Sequence, residues 1–122
     1  MHWLLVFVGG GLGSLTRHAV NRAGLAMFGP GFPWWTFAVN VAGSFAIGLL
    51  AGLFGGFETG NNARLFLITG FLGGFTTFSA FSLDALTLWE RGAAMQAGFY
   101  VLGSVILSLI AAAVGLMLSR LV

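Results

Sequence analysis

Four uncharged stretches, Trp3–Thr16, Trp34–Phe57, Leu65–Leu83 and Gly92–Ser119, take up most of this 122-residue chain and limit what it can fold into. A helix needs about 20 predominantly apolar residues to cross the hydrocarbon core of a bilayer. With 58% of its residues hydrophobic and 7% charged, a soluble domain of this length could not hide its apolar surface in one core. The runs predict an all-α membrane protein of one domain, residues 1–122, with four transmembrane helices at about 2–28, 33–57, 63–90 and 93–121. The first run is short, but Arg17 can snorkel while the helix continues through Ala19, Val20, Ala23 and Leu25. Its rival reading is a cleavable signal peptide, yet no basic residue precedes Trp3–Val8 and no small-x-small site follows cleanly. Turns are expected at Phe28–Pro33, Glu58–Asn62 and Glu90–Gly92.

Charge and composition then exclude several classes. A sequence pI near 10.6 rests on five scattered arginines with no lysine, which is not a nucleic-acid-binding patch. The absence of cysteine rules out disulfides, thiolate chemistry and zinc ribbons. His2 and His18 lie near chain or helix ends, and nothing at metal-ligand spacing joins them. A proton-coupled exporter needs an ionisable group near the bilayer midplane, and spans one, two and four hold no midplane carboxylate or histidine. Asp84 falls toward the end of span three, where snorkelling or pairing with Arg91 accounts for it. Four short glycine-rich helices can pack closely through Gly9, Gly13, Gly43, Gly48 and Gly52, leaving little room for a pore inside one subunit, so a second subunit is expected. Arg64 and Arg120 would face one side of the membrane, and Arg17, Arg22 and Arg91 the other. So even a split gives little positive-inside bias, and both a single orientation and insertion both ways as an antiparallel dimer stay open.

The polar residues inside the apolar runs carry the functional signal. Gly70 to Ser82 places glycines, hydroxyls and phenylalanines within span three, and non-helical backbone at bilayer depth survives only where it is buried in protein or lines a cavity. Phe78 and Phe81, three apart, share a helix face beside Thr77, Ser79 and Ser82. Their rings present positive edges, and ring edges next to O–H donors can solvate a small anion without a fixed charge. With 13 phenylalanines in the chain, lipid-facing or core filler is the plainer reading of each ring. Asn40 is the one amide within span two; its NH₂ can bond a neighbouring helix or face an anion. Tyr100, Ser104 and Ser108 recur every four residues along span four, a hydroxyl ladder covering about 12 Å. Arg17 suits either an interfacial anchor or an aqueous vestibule that attracts anions.

Gly9–Gly13 with Arg17, Pro33–Thr36 through Asn40, Gly43 and Ser44, Gly70–Ser82, and Tyr100, Ser104 and Ser108 together resemble the small fluoride channel family known as Fluc or CrcB, over nearly the whole chain. Gly73 to Ser82 with Asn40 is the specific part; Ala80 stands where members often carry threonine, and Phe75 where an apolar residue varies. The resemblance implies a dual-topology antiparallel homodimer, with span three broken near its middle and two pores each built from both subunits. It implies a channel in the inner (cell) membrane, not an enzyme, which passes fluoride passively out of the cytoplasm and relieves fluoride toxicity. By the same carry-over, Phe78 and Phe81 offer ring edges to fluoride and Asn40 donates to it. Thr77, Ser79 and Ser82 flank the rings, Tyr100, Ser104 and Ser108 form the polar track, and Arg17 lies in the vestibule. A structural sodium ion at the dimer centre would be held by the backbone carbonyls of Gly73 and Thr76 from each subunit. Two rival classes remain. One is a small multidrug exporter, which would carry a carboxylate in its first span; the other is a non-conducting subunit of a larger complex.

Overall fold

The computed structural model of the chain describes residues 1–54 and 62–121. The end of span two at 55–57 and the expected turn residues Glu58, Thr59, Gly60 and Asn61 lie outside the described residues. Four long helical segments make up the fold: His2–Phe28, Trp34–Leu53, Asn62–Glu90 and Ala94–Ser119. Three of them, Trp34–Leu53, Asn62–Glu90 and Ala94–Ser119, are long and apolar enough to cross a membrane. The first helix has the length, at 27 residues, but Arg17, His18 and Arg22 interrupt its apolar run.

Local chemistry sets the turns. Gly29 ends the first helix at φ 72°, a left-handed value that a side chain would resist, and its N–H donates to Leu25 O at 2.9 Å. At the other expected turn, Gly92 has φ 81°, the Ala93 N–H reaches back to Leu88 O (3.0 Å), and the Gly92 N–H reaches Trp89 O (3.1 Å). This pair of bonds is a Schellman motif, which satisfies the last carbonyls of the helix before the chain reverses.

The helices pack through missing side chains. The second and fourth lie backbone against backbone: a Cβ on Gly48 would overlap the Ala112 carbonyl, and one on Gly115 would overlap that of Phe45. The first helix lies as closely on the start of the third segment, with Gly13 against the Phe71 carbonyl and Gly74 against that of Gly10. Where lipid tails are as apolar as the helix faces, such close approach supplies the van der Waals contact that holds helices together. Among the described residues the conventional core is small: a cluster of Phe81, Leu88, Ala97 and Tyr100, flanked by Phe32, Phe37, Ala85, Ala93 and Val101, with Val39, Ile68 and Leu72 buried outside it. Most large apolar side chains face outward, as lipid-facing residues do.

Within the third segment, residues 65–72 form a wide π-helical stretch, and Gly73–Phe75 returns to α geometry. At Thr76 the backbone is extended (φ −83°, ψ 156°), and helix resumes at Ser79. Gly43 of the second helix gives Thr76 its place, since a Cβ there would overlap the Thr76 methyl group.

Candidate functional site

A backbone that leaves the helix must re-pair its freed N–H and C=O groups. Leu72 O accepts both the N–H (3.0 Å) and the hydroxyl (2.8 Å) of Thr76. Asn40 reaches across from the second helix: its Nδ2 donates to Thr77 O at 2.9 Å, and its Oδ1 accepts the Thr77 N–H at 2.9 Å. Thr77 Oγ1 in turn accepts the Ala80 N–H at 3.1 Å, capping the helix that begins at Ser79. From the first helix, Arg17 Nε donates to Gly74 O at 3.1 Å, and Ser14 Oγ approaches the same oxygen at 3.5 Å.

Beside this pairing lies a cavity of about 440 Å³. The second helix contributes Asn40 and Ser44 to its wall, the third segment Gly73, Thr76, Thr77, Phe78 and Phe81, and the fourth helix Ser104, Val105 and Ser108. None of these side chains is charged. Phe78 and Phe81 stand with ring centroids 5.6 Å apart at 54°, Phe81 buried and Phe78 open to the outside of the chain (77% exposed). Two groups of hydroxyls contrast. Those of Thr16, Ser82 and Thr87 each bond the carbonyl four residues back, at 2.8 to 3.0 Å. Those of Ser104 and Ser108 are buried on the cavity wall with no partner among the described residues. A buried hydroxyl left unpaired loses about 1–3 kcal/mol, so two in one polar cavity point to something mobile that pairs with them, water or an ion.

The structure thus brings Asn40, Thr77, Phe78, Phe81, Ser104 and Ser108 onto one wall. Ser79, Ser82 and Tyr100 lie off it: Ser79 Oγ sits 3.4 Å from Thr77 Oγ1, and Ser82 bonds Phe78 O. Tyr100 is fully buried with its ring 5.2 Å from that of Phe81, and its hydroxyl donates to Asp84 Oδ2 at 3.1 Å. Asp84 therefore pairs with Tyr100, while Arg91 donates to Pro30 O at 3.0 Å. Sequence reasoning left Ser44 out of the site, although its place four residues after Asn40 puts both on one helix face. The Asp84–Tyr100 bond had no such signal. Among the described residues, no group of three or more histidine, cysteine or acidic side chains could hold a metal.

The helices and this uncharged, hydroxyl-lined cavity define a multi-pass membrane protein with a polar cavity set in apolar packing. The chain belongs to the CrcB family: residues 4–116 match the family described as CrcB-like protein, Camphor Resistance (CrcB). It is 53% identical over 116 residues to the "Fluoride-specific ion channel FluC" of Sphingopyxis alaskensis, covering 94% of this chain and 92% of that one. Against the protein of the same name from Rhodopseudomonas palustris the identity is 54% over 122 residues, covering 98% of each chain. A third, from Rhizobium leguminosarum bv. trifolii, is 55% identical over 118 residues, covering 96% of this chain and 94% of the relative.

Proposed function

We propose that this chain is the subunit of a fluoride-selective channel that lets fluoride leave the cytoplasm passively across the inner membrane. The observation that carries the reading is the pair of orphaned hydroxyls, Ser104 and Ser108, on the same uncharged wall as the Phe78 and Phe81 rings. Hydroxyl donors and positive ring edges stabilise a small, strongly hydrated anion without a cationic trap that would hold it too tightly to leave. Relatives named as fluoride-specific channels over nearly the full chain length support the same reading. Passive export needs no pump: HF crosses the bilayer and dissociates inside, and the negative interior drives the anion out.

The channel is an antiparallel homodimer of subunits inserted both ways, with a pore on each side of the pair. The near-even split of arginines supports this, as does Phe78, a ring left open on one subunit for a second to cover. Ser79, Ser82 and Tyr100 border the path, and Arg17 sits toward its vestibule. A sodium ion at the dimer centre fits the carbonyls of Gly73 and Thr76. The Thr77 N–H that would bond Gly73 O in a continuous helix goes to Asn40, which leaves a hard oxygen donor at the cavity wall. Bound there, sodium would supply a fixed positive charge beside an uncharged path.

The test is efflux from vesicles loaded with potassium fluoride, with valinomycin clamping the potential and an electrode reading the ion. Fluoride should leave rapidly while chloride-loaded vesicles release little. Equal chloride efflux removes the selectivity, and no efflux of either removes the channel.

A further inference from the structure

Arg17 is a half-buried cation on a helix that packs directly against the interruption in the third segment. Its geometry is fixed by its neighbours. Gly10, Ser14 and Arg17 fall at i, i+4 and i+7, one face of the first helix, and all three meet Gly74. The missing side chain of Gly74 lets the two backbones touch at Gly10, Ser14 reaches the Gly74 oxygen at 3.5 Å, and the Arg17 Nε donates to it at 3.1 Å. Around the break at Thr76, side chains take up several of the freed groups: Asn40 pairs with Thr77 N–H and O, and Thr77 Oγ1 with the Ala80 N–H. Gly74 O is taken from the opposite side, by Arg17.

We infer that Arg17 is a positioning residue: its Nε–H bond to Gly74 O holds the interruption from the first helix as Asn40 holds it from the second. The bond, more than the charge, is its contribution. By occupying Gly74 O it removes one of the four carbonyls that the break frees, Gly73 to Thr76, and it fixes where Thr77 and Phe78 enter the cavity wall. The inference rests on the proposed channel for its flux readout, and on folding stability for a readout independent of it.

Side-chain topology separates bond from charge. In glutamine, Nε2 lies the same number of bonds from Cα as arginine Nε, so Arg17→Gln keeps a donor in place without the charge. Lysine has a methylene at that position and its ammonium one bond further on, so Arg17→Lys keeps the charge but moves the donor out of place. Wild-type flux is measured first, so that a failure of conduction is read apart from a failure of the assignment. Arg17→Gln should then keep its thermal midpoint near wild type and keep more fluoride flux than either Arg17→Lys or Arg17→Met. Arg17→Lys and Arg17→Met should each lose about tenfold in flux and unfold at lower temperature. Arg22→Gln, on an exposed position of the same helix, should change neither. The assignment is overturned if lysine preserves flux and midpoint while glutamine loses them, if all three Arg17 variants match wild type, or if folded Arg17→Gln protein fails together with Arg17→Lys.

Discussion

Ser104 is buried at 4% exposure with an unpaired hydroxyl, and this makes its two possible roles predict opposite results. If the hydroxyl serves only the fold, removing an unsatisfied polar group leaves stability unchanged or raises it, and transport follows. If it serves a passing ion, Ser104→Ala should unfold no earlier than wild type while fluoride flux falls about tenfold, a barrier increase of about 1.4 kcal/mol. Thermal unfolding and vesicle efflux on one preparation decide between them. Phe81 is tested likewise: Phe81→Ile keeps bulk and apolarity and deletes the ring edge, so flux should fall more than about tenfold while the protein still folds, since volume-conserving swaps usually cost less than about 1.5 kcal/mol. Near-wild-type flux would make Phe81 packing for Tyr100, whose ring is 5.2 Å away. Ser104 and Ser108 were legible as a pair because four-residue spacing alone puts them on one face. The two hydrogen bonds between Asn40 and Thr77 were not, because the residues lie 37 apart in sequence and only packing brings them together.

Helix contacts turn on which glycines meet backbone and which meet nothing. Gly11 has open space around a would-be Cβ, whereas one on Gly13 would overlap the Phe71 carbonyl. Gly11→Ala should therefore be neutral or stabilising by up to about 1 kcal/mol from helix propensity. Gly13→Ala should destabilise by about 1–3 kcal/mol, because the first helix must move off the third segment. Thermal melts of the two single variants check the contrast; equal effects would mean that the helices do not approach so closely. Two residues apart in one glycine run, these positions look alike in the sequence, which names the residues able to pack closely but not the face that does. The turn at Gly92 was readable because it is local, a glycine after a charged pair closing a helix with its own backbone. The link from Asp84 to Tyr100 depends on how two helices sit side by side, and charge spacing pointed instead to Arg91.

For the whole molecule, the arginine split predicts that topology is easily tipped. Adding two or three lysines near residues 59 to 62 should force one orientation and abolish flux, and co-expression with an oppositely biased copy should restore it. Full activity from a single-orientation protein would defeat the antiparallel pair. The cavity wall carries a second consequence for the assembled channel. Asparagine, serine, threonine, glycine, valine and phenylalanine make up that wall, and none of them exchanges a proton near neutrality. Tyr100, Asp84 and Arg17 lie off that wall, Tyr100 bonded to Asp84 and Arg17 to the Gly74 carbonyl. At a fixed fluoride gradient, efflux should therefore stay flat from about pH 6 to about pH 9, and a sigmoidal profile would place a titrating group in the path itself. A conduit of this kind would keep working through swings in acidity, the condition under which fluoride loads a cell fastest.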